Sequence, residues 1–174
     1  MSSTNWCVIT GAPCSGKTTV IRELEKHGYR VVHEVARAHI DRELMVGKTI
    51  SEIKADIPAF EQHILDQKIK IEASLPKNET IFLDRAIPDS IAYFTIEGLD
   101  PGGPIEKSKS FRYKNIFFFE RLIFQKDAVR SEDERIAAEL DRLLQKGYQI
   151  LGYEIIHVPL APVRDRVEFV LKYL

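Results

Sequence analysis

The stretch GAPCSGKT at residues 11–18 decides how this chain folds. It matches the pattern G-x-x-x-x-G-K-[ST], with Gly11, Gly16, Lys17 and Thr18 at the fixed positions. An apolar segment, 6–10, precedes the pattern, and a segment with helical periodicity, 17–27, follows it. This order of strand, glycine-rich turn and helix is the structural context that the pattern requires, so we predict a phosphate-binding loop.

The physical chemistry of such a loop assigns a role to each position. Glycines let the backbone approach phosphate oxygens, while successive amides and the helix N-terminus present partial positive charge. We expect Lys17 to reach the β- and γ-phosphates and Thr18 to offer its hydroxyl to Mg²⁺. The residues expected to bind the nucleotide are continuous in sequence: Gly11, Ala12, Pro13, Cys14, Ser15, Gly16, Lys17, Thr18 and Thr19. Cys14 is either a small filler of the loop or a thiol whose pKa the helix N-terminus lowers.

The rest of the chain alternates apolar runs with amphipathic ones. The predicted strands are 6–10, 29–33, 80–84, 115–119 and 153–157, and predicted helices separate them. This alternation predicts an α/β fold with three layers, a doubly wound parallel five-stranded sheet covered on both faces. We expect Pro58 to interrupt a helix and the glycine- and proline-rich segment 99–104 to form a loop. No linker divides the chain, so residues 1–174 are predicted to form a single domain.

Acidic residues lie at the ends of three predicted strands, where parallel sheets bind their ligands: Glu34, Asp84 and Glu120. Asp84 is expected to be catalytic: it would hold Mg²⁺ through water, and either Asp84 or Glu34 would orient the acceptor hydroxyl; the alternative for Asp84 is a helix cap. Glu34 is the candidate general base or binds an acceptor hydroxyl, with helix capping as the alternative. Arg37, one turn later, is expected on the acceptor side, and so is Arg85, unless Arg85 forms only a surface ion pair.

Cations follow the fourth predicted strand. Arg121, Lys126 and Arg130 lie in a segment, about 120–135, that we predict to be a lid over the phosphates. Cations placed there would neutralise the charge that develops during phosphoryl transfer, and Arg130 is the one expected to be catalytic. The alternative is a solvated helix of mixed charge. A second basic stretch, 107–114, is either a solvated loop or a surface for a polyanionic partner.

Composition narrows the classes of function. The 174 residues hold 25 Lys and Arg and 26 Asp and Glu, for a formal net charge of -1, which argues against a general nucleic-acid binder. The two cysteines are too few for a disulfide scaffold. No apolar run approaches the about 20 residues that span a bilayer, and the first residues lack the features of a signal peptide. We therefore expect the cytoplasm as the compartment.

Four segments together resemble a known family. The phosphate loop, VVHEVAR at 31–37, FLDR at 82–85 and KDAVRSEDE at 126–134 resemble the kinase-like P-loop domain shared by NadR and the TRPL-translocation-defect family, a domain of the AAA-type ATPases. The resemblance implies a nucleoside-kinase-like fold with strand order 2-3-1-4-5. It also implies that Gly16, Lys17 and Thr18 bind phosphate and Mg²⁺, that Glu34 and Arg37 lie on the acceptor side, and that Arg130 belongs to the lid.

The two branches of this resemblance imply different functions. NadR-type domains phosphorylate nicotinamide riboside with ATP, whereas the other branch binds GTP and phosphoinositide. We predict an enzyme, a kinase that uses ATP, or else GTP, with Mg²⁺ to phosphorylate a small hydroxylated acceptor such as a nucleoside or nucleotide. The alternative is a nucleotide-dependent binding module with a phosphoinositide or protein partner. The negative net charge weakens a third hypothesis, a kinase of RNA ends.

Overall fold

The computed structural model describes residues 2–121 and 132–174. Its main sheet has five strands, which we number in chain order: β1 Cys7–Thr10, β2 Arg30–Val32, β3 Ile81–Asp84, β4 Asn115–Phe119 and β5 Ile156–Val158. The described helices are α1 Lys17–Lys26, α2 Val35–Met45, α3 Ile50–Ile53, α4 Ile57–Ser74, α5 Asp89–Ile96, α6 Gly102–Ser108, α7 Glu132–Ile150 and α8 Val163–Leu171.

All neighbouring strands of the main sheet are parallel, in the order β2-β3-β1-β4-β5. In the centre, Val8 of β1 pairs with Leu83 of β3 on one side and with Ile116 of β4 on the other. The strand order 2-3-1-4-5 is therefore confirmed. Because the phosphate loop leaves the central strand, it lies where the chain reverses its winding direction, the position at which sheets of this kind bind ligands.

Helices cover both faces of this sheet, which confirms the three-layer prediction. Cys7 and Ile9 face α1 and α8, and they pack in one core cluster with Val20 and Val167. Trp6 and Val8 point to the opposite face and belong to a second cluster that includes residues of α4 and α7. The alternation follows from the two-residue repeat of a strand. Burying these apolar side chains supplies the main driving force for folding.

Two sequence-based predictions about local structure are wrong. Pro58 does not interrupt a helix; it lies in the first turn of α4, where no intrahelical amide bond is needed, and Asp56 caps that helix. The segment 99–104 is only partly a loop, because α6 begins within it at Gly102. There the Asp100 carboxylate accepts a hydrogen bond from the Gly102 amide at 3.0 Å. The same residue types that favour turns therefore start a helix here.

Two further features of the fold were not indicated by the sequence pattern. Ser2–Ser3 pairs in parallel with Phe111–Arg112 in a small separate sheet. Helix α7 continues past Gly147, where a Cβ atom would lie 3.5 Å from Ile91 Cβ and from the carbonyl oxygen of Pro88, an ordinary contact distance. Within the described residues, no helix combines the length and the apolarity that crossing a membrane would require.

A buried carboxylate links α4 to the rest of the core. Glu72 is 3% exposed and accepts hydrogen bonds from the Ile87 amide at 2.9 Å and from the Tyr113 hydroxyl at 2.6 Å. Burial raises the pKa of Glu72 to about 7, and these two hydrogen bonds only partly oppose the shift. The folded protein therefore holds a proton on Glu72 at pH values where the unfolded chain has released it.

This shift predicts how stability depends on pH. Between about pH 4.5 and 7 the folded state binds more protons at Glu72 than the unfolded state, so the free energy of unfolding falls as the pH rises. Glu72→Gln removes this titration and keeps an oxygen for the Ile87 amide. Relative to wild type, the variant should gain on the order of 3 kcal/mol across that window, since one pKa unit is about 1.4 kcal/mol.

Urea denaturation at several pH values measures the effect. Asp66→Asn, at an exposed position on the same helix, is the control for losing one carboxylate. Parallel stability curves for wild type and Glu72→Gln would show that Glu72 does not titrate in this range.

Candidate functional site

The backbone of the loop between β1 and α1 requires glycine at one end, Gly11, and favours it at the other, Gly16. Gly11 has a φ of 134°, and a Cβ atom there would lie 2.2 Å from the carbonyl oxygen of Phe119 in β4. Gly16 has a φ of 82° and immediately precedes α1. The exposed Cys14, between them, also has a positive φ, 62°. The chain therefore turns sharply against the sheet, and its amides precede the N-terminus of α1.

Lys17 lies folded over this loop. Its side chain is almost fully buried, and its ammonium group donates to the carbonyl oxygen of Ala12 at 2.8 Å and to the hydroxyl of Ser15 at 3.0 Å. Burial, together with the nearby Arg85, lowers the pKa of Lys17 to about 8, and Asp84 and Glu34 partly offset the shift. The ammonium group is thus held at the loop by acceptors that a phosphate oxygen can replace.

Asp84, the last residue of β3, lies beside the loop and is 3% exposed. Its Oδ1 atom is buried and forms no hydrogen bond with any residue that the structure describes. Burial, followed by the neighbouring Glu34 carboxylate, raises the pKa of Asp84 to about 6. Thr18 lines the same hollow as Asp84 and Glu34, a space of about 510 Å³. An unpaired carboxylate oxygen and a hydroxyl in one hollow are a suitable oxygen set for Mg²⁺.

Arg85 connects two carboxylates at the carboxyl edge of the sheet. Its backbone has a φ of 66°, and its amide donates to the carbonyl oxygen of Ile9 at 3.0 Å. The guanidinium group is buried; Nε donates to Glu34 Oε1 at 3.1 Å, and Nη1 lies 3.5 Å from Asp89 Oδ1. Glu34 immediately precedes α2, which brings its carboxylate to this edge. Arg85 therefore forms a buried ion pair, not the surface pair weighed as the alternative.

Asp89 is a residue that the sequence analysis did not single out. It is fully buried in the first turn of α5, and it accepts hydrogen bonds from the Thr10 hydroxyl, the Tyr148 hydroxyl and the Ala86 amide, in addition to Arg85. An acidic residue near a helix start was the only available signal, and that signal is common. Asp89 thus joins β1, the turn after β3 and α7 at one carboxylate.

The structure describes two of the other cations predicted for the site, Arg37 and Arg121, and each contacts a carboxylate. Arg37 is exposed and its Nε contacts Asp41 one turn later, although Arg37 still lines the same hollow as Glu34. Arg121 donates from Nε to Asp141 Oδ2 at 2.9 Å, and Asp141 Oδ1 accepts from the Ala12 amide at 2.7 Å. Lys126, Arg130 and most of the predicted lid at 120–135 lie outside the described residues.

A larger cleft of about 650 Å³ extends from the phosphate loop past Glu34 and Arg85. Its walls combine charged side chains with apolar and aromatic ones, which include Phe60 of α4, Tyr93 of α5 and Leu140 of α7. Aromatic walls of this kind suit a flat ring, and the charged end near the loop suits polar or charged ligand groups.

Two buried charged residues of α4 also line this cleft, and sequence analysis missed both. Lys68 is 4% exposed and donates to the Ser90 hydroxyl at 3.0 Å, and Glu61 is 7% exposed. Burial lowers the pKa of Lys68 and raises that of Glu61. They lie seven residues apart in an ordinary amphipathic pattern, so nothing in the sequence separated them from solvated residues.

The four contacts of Asp89 lead to a graded prediction for stability. Asp89→Asn leaves Arg85 without one of its two charge partners. It also places an NH₂ group, which is itself a donor, opposite groups that donate hydrogen bonds to Asp89. It should therefore lower the free energy of unfolding by about 3–5 kcal/mol. Tyr148→Phe removes only one donor and should cost about 1 kcal/mol. Urea denaturation at neutral pH measures both values, and equal losses in the two variants would contradict the assignment of Asp89 as the shared acceptor.

Comparisons with known proteins agree with this geometry. Residues 6–166 match the family described as AAA domain. Thymidylate kinase from Bacillus pumilus (strain SAFR-032) is 26% identical over 200 residues, covering 94% of this chain and 92% of that protein. The structure of NadR protein in complex with NR superposes with a TM-score of 0.70 at 17% identity, covering 98% of this chain and 50% of the NadR chain. Deoxyadenosine kinase from M. mycoides, with the products dCMP and dCDP, gives a TM-score of 0.67 at 16% identity and 96% coverage of each chain.

The structural likenesses establish a common fold, and the family match extends over most of the sequence. The described chain has the five-stranded sheet, the phosphate loop after its central strand and the acidic residue at the end of β3. The protein therefore belongs to the AAA domain family, as a P-loop NTPase domain of the kinase-like type.

Proposed function

We propose that this protein transfers the γ-phosphoryl group of ATP to a hydroxyl of a nucleoside or nucleotide, with Mg²⁺. One observation carries the proposal: the phosphate loop with Lys17 and the Glu34–Arg85 ion pair line one continuous cleft of about 650 Å³. A donor at the loop and an acceptor at the ion pair would then meet within that cleft. Holding the two reactants in this way is the main contribution that a kinase makes to the reaction.

The donor end rests on the loop itself. The amides of residues 14–16, the N-terminus of α1 and the Lys17 ammonium group would surround the β- and γ-phosphates. In the absence of phosphate, Lys17 donates to Ala12 and Ser15, so its positive charge is already held in place when the nucleotide binds. This arrangement favours the transition state, because the charge needs little reorganisation as it develops on the transferred group.

The residues present fit a magnesium ion. Asp84 has a buried oxygen without a hydrogen-bond partner in the described structure, and Thr18 contributes to the same hollow. These two residues would hold the ion, Asp84 directly or through water. When bound, Mg²⁺ supplies charge neutralisation at the phosphate oxygens.

At the acceptor end, Glu34 would act as the general base. Arg85 fixes Oε1 of Glu34 by a hydrogen bond of 3.1 Å, which leaves Oε2 to receive the proton of the acceptor hydroxyl. The acceptor oxygen forms a bond to the γ-phosphorus while the bond from that phosphorus to the β–γ bridging oxygen breaks. ADP leaves with the electron pair of that bond. Arg37, in the same hollow, would orient the acceptor.

Two lines of support favour a nucleoside or nucleotide as the acceptor. Phe60 and Tyr93 provide aromatic surfaces in the cleft for a base. Two of the relatives reported above are named for thymidylate and deoxyadenosine, and the NadR structure is a complex with NR. A nicotinamide riboside-like acceptor is included in the proposal. Lys126 and Arg130 of the lid segment would add cations near the phosphates, and the cytoplasm stays the compartment that we expect.

The alternative binding module would use the basic stretch 107–114 as its surface. In the structure, Lys109 contacts Glu106, Arg112 donates to the carbonyl oxygens of Leu151 and Gly152, and Lys114 donates to the carbonyl oxygen of Leu174. Charges engaged in this way are less available to a phosphoinositide headgroup. We therefore favour the kinase over the binding module.

The kinase proposal predicts the effect of removing the loop lysine. With ³²P in the γ-position of ATP, the wild type should label at least one acceptor in a panel of nucleosides, nucleotides and nicotinamide riboside. Lys17→Ala should reduce kcat on the order of 10³-fold, because it removes a preorganised cation from the transferred phosphoryl group. Its circular dichroism spectrum should remain that of the wild type.

Lys146→Ala is the matched control, since Lys146 is exposed on α7 and lines neither the hollow nor the cleft described above. It should leave turnover unchanged. If Lys17→Ala transfers phosphate as fast as the wild type, the donor assignment is wrong. If the wild type binds MgATP and co-sediments with phosphoinositide vesicles without labelling any acceptor, the binding module becomes the better description.

The general-base assignment gives a separate prediction. Glu34→Gln keeps an oxygen for Arg85 but cannot accept the proton, so kcat should fall about 10²- to 10⁴-fold with little change in the KM for ATP. Glu43→Gln, on the same helix and in contact with Lys48, controls for the loss of a carboxylate. A Glu34→Gln enzyme with unchanged kcat would remove Glu34 from the chemistry.

A further inference from the structure

The last helix sends one arginine into the interior beside the phosphate loop. Arg166 of α8 is 3% exposed, and its Nη1 donates to the carbonyl oxygen of Ser15 at 2.8 Å. The two residues are 151 positions apart in sequence. By contrast, Arg164 on the same helix is exposed and contacts Glu168. Of these two arginines on α8, only Arg166 therefore lies against the backbone of the loop.

The charge of Arg166 has no carboxylate to balance it. Among the side chains that the structure describes, none forms an ion pair with Arg166, and its buried Nε has no hydrogen-bond partner. The guanidinium carbon lies 5.5 Å from the centre of the Phe119 ring, which offers only a weak cation–π contact. Burial lowers the pKa of Arg166, and no charged group is among the causes. An unpaired buried cation of this kind destabilises the folded protein until an anion approaches it.

The geometry of the peptide bond connects this cation to the phosphate cradle. A trans peptide is planar, so the carbonyl of Ser15 and the amide N–H of Gly16 point in opposite directions. Because Arg166 holds that carbonyl on the outer side of the loop, the Gly16 amide is directed to the inner side, where phosphates bind. The hydrogen bond also polarises the peptide and increases the positive partial charge on that N–H group.

We propose that Arg166 is a positioning residue for the donor phosphates. It fixes the orientation of the 15–16 peptide, and its positive charge is compensated only when a polyphosphate occupies the loop. The inference rests on the proposed function, because it requires the loop to bind the phosphates of the nucleotide. It adds that the last helix, and not the loop alone, determines phosphate affinity.

The test separates stability from phosphate binding. Arg166→Met replaces the guanidinium by an apolar chain of similar length. The melting temperature of the free protein should be unchanged or higher. The affinity for inorganic tripolyphosphate, measured by calorimetry, should fall about 10- to 100-fold, as expected for removing a charge several ångströms from the ligand at an intermediate dielectric constant. The KM for ATP should rise by a similar factor while the KM for the acceptor stays the same.

Two further variants keep the test decisive. Arg166→Lys retains the charge without the planar guanidinium, so its tripolyphosphate affinity should lie between those of the wild type and Arg166→Met. Arg164→Met should behave as the wild type. Unchanged tripolyphosphate affinity in Arg166→Lys and in folded Arg166→Met would overturn the inference, and if Arg166→Met does not fold, unchanged affinity in Arg166→Lys alone would do so. A wild type that binds neither MgATP nor tripolyphosphate would instead refute the proposed function, and this inference with it.

Discussion

The site depends on one buried carboxylate, Asp89. It accepts hydrogen bonds from Thr10 at the end of β1, from the turn after β3 and from Tyr148 of α7, and its charge balances that of Arg85. Arg85 in turn holds Glu34. Since an unpaired charge is costly to bury, the loss of one of these charged partners weakens the others. The orientation of the acceptor side is therefore determined in the core, below the cleft that the substrates would enter.

The balance of charge around Asp89 favours a divalent cation. Three carboxylates, Glu34, Asp84 and Asp89, lie near two cations, Lys17 and Arg85. Asp84 carries the excess, because Arg85 is shared by the other two carboxylates and Lys17 is hydrogen-bonded within the loop. Burial, followed by the neighbouring Glu34 carboxylate, raises the pKa of Asp84, and its Oδ1 atom has no hydrogen-bond partner among the described residues. A metal ion bound at Asp84 would remove the excess, and a phosphate bound at Lys17 would then meet a neutral or positive surface.

Sequence reasoning succeeded where a local pattern has only one physical explanation. The phosphate loop, the apolar strands and the order of the sheet followed from GAPCSGKT, from hydrophobic periodicity and from the family resemblance. It did not identify Asp89, Lys68 or Arg166, because each is an ordinary charged residue on a helix whose burial depends on contacts far away in sequence. Asp89 and Tyr148 are 59 positions apart, and Arg166 and Ser15 are 151 apart. No single sequence records which of its charged residues will be enclosed.

The same long-range contacts make the phosphate loop a product of the complete fold. The Asp141 carboxylate of α7 accepts from the Ala12 amide near the start of the loop, and Arg166 of α8 donates to the Ser15 carbonyl near its end. A negative group therefore holds an amide at one end, and a positive group holds a carbonyl at the other. Both groups come from the last third of the chain, so the geometry of a loop near the N-terminus depends on the packing of these two helices. Contacts of such high sequence separation carry a large entropic cost of loop closure. Nucleotide binding, which needs the loop amides in place, would consequently report on the packing of α7 and α8 as well as on the loop itself.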